Sequence, residues 1–156
     1  MSARRQKERP ETAYFDTAFV VKCYSPEAGS DVVRAFAAGV SQLSTSELTL
    51  AEFCSALHRA VRDKQLTATE AAGLRQQFRD DVADGVWTLI PCTMLILQAV
   101  DSAYEALSSR VFLRSADAIH LATARLSGHN AIYSNDRHLL AAADSFGVRG
   151  VNLLSA

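Results

Sequence analysis

Acidic side chains hold most of the positions where this sequence could do chemistry. Asp16 follows Ala13, Tyr14 and Phe15, and Glu52 sits among Leu50, Ala51, Phe53 and Ala56. Asp117 stands two residues after Ser115, and Asp136 two residues after Ser134. Taken singly, each Asp reads as a helix cap or a partner of a helix dipole. Glu52 is more telling, because a carboxylate with apolar neighbours is expensive to bury without a partner. If the four side chains meet, each close pair repels by roughly 4 kcal/mol at about 4 Å with an effective dielectric of about 20. No Arg or Lys lies beside all four in the sequence. A hard divalent cation, Mg2+ or Mn2+, prefers oxygen donors and would offset the repulsion. An ion held by a few carboxylates keeps waters, lowers the pKa of one, and stabilises charge on a phosphodiester under attack. Ser134 is placed to hydrogen-bond the attacking water or a phosphate oxygen, or to act only as a turn or cap hydroxyl. Side chains scattered over the fold, or an arginine on the oxygens of each acid, would contradict this reading.

The elements that must bring these residues together are legible as short apolar runs alternating with longer stretches of helical spacing. Strands are expected at 13–16, 40–45, 86–90 and 131–134, with a weak one at 148–153. Helices are expected at 30–38, capped by Gly39, and at 49–64, where Leu50, Phe53, Cys54, Leu57 and Val61 share a face. Thr67 and Glu70 form a capping-box pattern that opens a helix running to about 84, with Gly85 ending it. Further helices are expected at 93–107, at 115–126 with Ser115 as cap and Gly128 as stop, and at 136–144. Strands separated by helices require crossover connections, which make the strands parallel and cover both faces of the sheet. The expected fold class is a three-layer α/β/α sandwich around a central, mostly parallel sheet. In such sheets functional groups gather outside the carboxyl ends of the strands, where Asp16 and Asp136 both fall.

Composition narrows the class of protein. A chain of 156 residues, 49% hydrophobic and 21% charged, suits one domain with an ordinary core, which buries roughly 70% of its unfolded surface. Net charge is −1, so no global basic field advertises nucleic-acid binding. Arg4, Arg5, Lys7 and Arg9 precede Pro10, and residues 1–12 read as a basic, disordered tail ahead of a single domain at 13–156. Cys23, Cys54 and Cys92 lack zinc-site or disulfide spacing and read as buried free thiols in a reducing compartment. With no apolar leader and no apolar window of spanning length, a cytoplasmic location is expected.

Other residues have competing readings. His120 can share a helix face with Asp117 as ligand or base, but a His amid Ile119, Leu121 and Ala122 is more often a hydrogen-bonded packing residue. Lys22 suits a phosphate contact or a carboxylate partner, against the default of a solvated surface. Trp87, Tyr104, Phe112 and Leu113 default to the core, as do Leu50, Phe53, Leu57 and Val61, although a groove beside their helix would accept a partner helix. Asp16 as a phosphotransfer nucleophile is disfavoured, because the dehalogenase-like Asp-x-Asp pattern has Ala18 in its second acidic place.

Four segments together carry a family resemblance. They are Asp16-Thr17-Ala18 with Val20-Val21-Lys22, then Thr49-Leu50-Ala51-Glu52, then Arg114-Ser115-Ala116-Asp117-Ala118-Ile119-His120-Leu121-Ala122-Thr123-Ala124, and finally Ser134-Asn135-Asp136-Arg137. In this order the chain from Ala13 onward resembles PIN-domain ribonucleases, and within them the VapC-type toxins of toxin–antitoxin pairs. The resemblance implies a parallel-sheet fold, Mg2+ or Mn2+ bound by Asp16, Glu52, Asp117 and Asp136, and endonucleolytic cleavage of RNA. It assigns Ser134 to a common Ser/Thr position. It further implies a cognate antitoxin that wraps the toxin and reaches its active site, and a homodimer or a hetero-oligomer with that antitoxin. The alternative is a non-catalytic PIN-like module acting through its antitoxin or RNA partner. Two features depart from the family pattern: Ala18 replaces a frequent Ser, and a basic extension precedes Ala13.

Overall fold

The computed structural model describes residues 10–155. Five strands, Thr12–Phe15 (β1), Gln42–Ser46 (β2), Trp87–Ile90 (β3), Ala131–Tyr133 (β4) and Arg149–Val151 (β5), form one sheet in the order β3-β2-β1-β4-β5. Every neighbouring pair is parallel. The helices between them are Thr17–Tyr24 (α1), Ser30–Ala37 (α2), Leu48–Arg62 (α3), Ala68–Ala83 (α4), Met94–Ala106 (α5), Ser115–Leu126 (α6) and Arg137–Ala142 (α7), the last continued by a 3-10 turn at Ala143–Phe146. The expected three-layer sandwich is therefore the observed one. The chain first builds outward from β1 to β3, then returns to lay β4 against the other side of β1.

Strand alternation divides the core in two. In β1, Phe15 joins Phe19, Phe53, Leu57, Phe78 and Trp87 beneath α1–α4, whereas Tyr14 faces Leu121, Ile132, Leu139 and Val148 beneath α6 and α7. Both faces of β1 are covered, which is why Ala13, Tyr14 and Phe15 are apolar in succession and all buried. On the first face the rings of Phe53 and Phe78 stack at 4.5 Å between α3 and α4.

Local signals explain most helix boundaries. Thr67 accepts from the Glu70 amide while the Glu70 carboxylate accepts from the Thr67 amide, completing the expected capping box. Gly85 and Gly128, with φ of 78° and 84°, take the left-handed turns that end α4 and α6.

Other expectations are corrected. Gly39 makes no left-handed cap, since α2 ends on Ala38 in right-handed geometry. Ser115 is the first residue of α6; the cap position falls on Arg114, whose side chain leaves the helix amides alone. Leu50, Tyr104 and Phe112, expected in the core, are 43%, 40% and 59% exposed, because α3 turns Phe53 and Leu57 inward instead and Tyr104 spends its hydroxyl on the Leu113 carbonyl. Trp87 is buried, and its indole N–H donates to Tyr24. The three cysteines are free but only half-buried. Arg4, Arg5, Lys7 and Arg9 lie outside the described residues, while Thr12, expected in the tail, already pairs with Gln42. Among the described residues, no helix is long and apolar enough to cross a membrane.

Candidate active site

Connections leave β1 and β4 toward opposite ends of the sheet, so a crevice opens where their carboxyl ends lie side by side. The register pairs Phe15 with Tyr133, and the Asp16 amide donates to the Tyr133 carbonyl at 3.1 Å. That bond sets Asp16 next to Ser134. Asp16 then starts α1, and Asp136 starts α7.

Each of these two aspartates divides its oxygens. One Asp16 oxygen accepts from the Phe19 amide at 3.0 Å, and the other accepts from the Ser134 hydroxyl. One Asp136 oxygen accepts from the His138 and Leu139 amides at 2.8 and 3.1 Å, leaving the second turned away from its helix. Both are thus helix caps, but half of each carboxylate remains for other work. Ser134 is fully buried; it donates to Asp16 and accepts from the Asp136 amide at 2.9 Å. It therefore fixes two acids relative to each other rather than facing the cleft itself.

Glu52 enters from the second turn of α3. Its carboxylate accepts from the Thr17 hydroxyl at 2.6 Å and lies 2.7 Å from His120 Nε2. The other His120 nitrogen is 2.9 Å from the Tyr14 hydroxyl. His120, 2% exposed, is thus a hydrogen-bonded packing residue that also orients an acid of the site. Asp117, in the first turn of α6, is buried against the same cleft. Lys22 takes its carboxylate alternative rather than the solvated default: buried, it pairs with Glu27 at 3.2 Å and donates to the Ala28 carbonyl at 2.9 Å.

Asp16, Glu52, Asp117 and Asp136 all line one cleft of about 360 Å3, together with Thr17, Asn135 and Arg114. A neighbouring groove of about 470 Å3 shares Val21, Glu27, Ala56 and Arg59 with it but holds none of the four acids. Size alone therefore does not single out the cleft that gathers the acids.

Arg114 is the residue that sequence reasoning missed. Its Nε donates to Asp117 at 2.9 Å, and a terminal nitrogen donates to the free oxygen of Asp136. No arginine or lysine lies beside all four acids in the sequence, yet in the fold Arg114 serves these two. Arginine thus occupies two of the four acids, and the oxygens of Asp16 and Glu52 are held by neutral donors and His120. The signal available was its position three residues before Asp117, where a helix places side chains together. The Thr17 contact was equally invisible, because its partner Glu52 comes from another element.

Charge balance differs across the cleft. Burial pushes the Asp16 carboxyl up to about 6, against the pull of Ser134, His120 and the Phe19 amide. Burial also acts on Glu52, but the His120 and Thr17 contacts outweigh it and hold that carboxyl below its ordinary value. Asp136 is likewise held low, its burial outweighed by the Leu139 and His138 amides and Arg114. Desolvation, more than repulsion between the acids, is therefore the main strain at Asp16.

The donor set, all carboxylate oxygen with no thiolate and with a histidine already engaged, fits a hard cation. As placed, no three His, Cys, Asp or Glu side chains among the described residues stand close enough to encage an ion, and Arg114 supplies the positive charge instead.

A family model of the PIN domain matches residues 13–145. Ribonuclease VapC45 and Ribonuclease VapC49, from two strains of Mycobacterium tuberculosis, are each 30% identical to this chain over 138 residues, covering 87% of it and 92% of the relative. Among solved structures, FitAcB from Neisseria gonorrhoeae aligns with a TM-score of 0.73 at 14% identity, covering 92% of this chain and 99% of that one. Mycobacterium tuberculosis VapC20, described as a sarcin-ricin loop cleaving toxin, aligns with a TM-score of 0.62 at 20% identity, covering 83% and 94%. At such identities the structures speak to fold alone. Sheet order and acidic crevice define the class as an α/β domain with its site at the switch point of a parallel sheet. The chain belongs to the PIN-domain family.

Proposed function

We infer that this chain is a Mg2+- or Mn2+-dependent endoribonuclease, the toxin of a toxin–antitoxin pair, restrained by a cognate antitoxin protein. The observation that carries the reading is the convergence of Asp16, Glu52, Asp117 and Asp136, from four separate elements, on one cleft of a PIN-family chain. Two relatives named as ribonucleases support the reaction class. The partner reading is supported by neighbours of the same fold, among them a toxin–antitoxin complex from Klebsiella pneumoniae and VapBC2 of Rickettsia felis bound to a promoter DNA fragment.

Asp16, Glu52, Asp117 and Asp136 would hold the ion, which when bound supplies an ionised water and positive charge against the phosphodiester. The protein's own groups prepare that arrangement. Ser134 ties Asp16 to the chain at Asp136, so the acids on β1 and after β4 keep one spacing. Thr17 and His120 hold the Glu52 carboxylate from two sides, fixing its rotamer without neutralising it by a lysine or arginine. With its pKa raised to about 6, Asp16 is ionised at neutral pH and accepts a proton in mild acid, which would weaken cation binding there. RNA would lie across the open side of the cleft.

The test is incubation of the purified chain, freed of any partner, with structured RNA and Mn2+, with and without a chelator. Cleavage that disappears under chelation and returns with excess Mn2+ is expected. Persistent cleavage in chelator, or none in Mn2+, refutes the reading.

A further inference from the structure

Arg114 sits at the start of α6 with its backbone extended, three residues before Asp117 and across the crevice from the start of α7. Its two donors engage one Asp117 oxygen and the Asp136 oxygen left over from capping α7. A guanidinium fork and a hard divalent ion make the same demand, two carboxylate oxygens turned toward one positive centre. Both cannot be met by the same oxygens at once. Asp117 and Asp136 have side chains only 12% and 26% exposed, whereas that of Arg114 is 55% exposed. The arginine can therefore swing into solvent while Asp136 stays gripped by the His138 and Leu139 amides and Asp117 stays buried on the first turn of α6.

Resting on the metal-dependent reading above, we propose that Arg114 is a built-in competitor of the divalent ion, bridging Asp117 and Asp136 in the metal-free chain and releasing both oxygens when the ion binds. It makes the cleft electrically tolerable without a cation, and for the same reason sets a threshold concentration of metal below which the site stays closed to it. Since the pair is partly solvated, the competition is modest and is set at about threefold to tenfold in metal affinity. Coupling is reciprocal: bound metal weakens the arginine contact by the factor by which the arginine weakens metal binding.

Two measurements on the full chain test this without using catalysis as a readout. Calorimetric titration of Mn2+ into the wild type, Arg114→Lys and Arg114→Gln should give tighter binding in Arg114→Gln by about threefold to tenfold, with Arg114→Lys between, because lysine keeps the charge but loses the fork. Equal or weaker Mn2+ binding by a folded Arg114→Gln chain overturns the proposal and leaves the nuclease reading intact. Should that variant fail to fold, the wild type suffices: the Arg114 Nε–H resonance should move and lose its exchange protection as Mg2+ saturates the site. An unchanged resonance at saturation overturns the proposal. Tighter Mn2+ binding in Arg114→Gln, together with RNA left uncut by the wild type, sustains the proposal and sinks the nuclease reading, while absence of any divalent binding sinks both.

Discussion

Replacing Asp16 by Asn should stabilise the metal-free chain at neutral pH and lose that advantage in acid. The Asp16 carboxyl is 5% exposed and its pKa is raised from 3.8 to about 6, with burial as the leading cause. A pKa raised in the folded state means that the native chain prefers the protonated acid. Below about pH 4, where folded and unfolded forms are both protonated, no penalty exists. As pH rises from about 4 to about 6 the unfolded chain ionises first and stability falls. Above about pH 6 the whole penalty applies, a shift of about two units or on the order of 3 kcal/mol. Asn at this position still caps α1 by accepting from the Phe19 amide. The raised pKa already includes the charge-assisted part of the Ser134 bond, so Asn adds only the loss of an ordinary hydrogen bond there, about 1 kcal/mol. The net gain at pH 7.5 is about 2 kcal/mol, which for a chain of this size is about 4 to 8 °C in Tm. Calorimetric melting in EDTA at pH 7.5 and pH 4 reads it. A variant less stable than wild type at pH 7.5, or a difference that does not change with pH, refutes the electrostatic account. Adding Mn2+ should raise the Tm of the wild type and leave the variant nearly unmoved.

Three further outcomes are expected. Asp117→Asn and Glu52→Gln should each abolish RNA cleavage while circular dichroism stays native, and full activity in both would remove them from the site. Ser134→Ala deletes the buried hydroxyl that Asp16 and the Asp136 amide share, so urea denaturation should show a loss of about 1 to 3 kcal/mol; the acidic limb of its rate profile should move upward, since the Ser134 bond lowers the Asp16 pKa. Phe53→Ala empties the stack against Phe78 between α3 and α4 and should cost about 3 to 5 kcal/mol in the same assay, far from any change in metal affinity.

The five strands and every helix but α1 were readable because their signals are local, whereas the apolar face of residues 17–24 follows the first strand directly and declares no helix of its own. Three successive apolar residues before Asp16 declare a strand buried on both faces, and Thr67 with Glu70 marks the start of α4 to the residue. The acids were readable for a related reason, since a strand end followed by Asp is also a helix start, and the crevice rule then gathers them. What escaped were pairings between distant segments. Nothing beside Glu52 announces Thr17 or His120, and nothing beside Tyr14 announces His120 across the sheet. Lys22 looked like a surface charge because its partners, the Ala28 carbonyl and Glu27, become neighbours only when the turn after α1 folds back. Arg114 was written next to its partner all along, but its reach to Asp136 depends on α6 and α7 beginning at the same rim.

Asp16 and Asp136 serve two masters, each with one oxygen committed to its own helix and the other to a distant partner, Ser134 for Asp16 and Arg114 for Asp136. Side-chain reach is therefore as tightly constrained as charge at both places. Glutamate, though it would preserve the negative charge, carries an extra methylene that moves the carboxylate past the amides it must grip, so lengthening the arm should fray α1 or α7 where removing the charge does not.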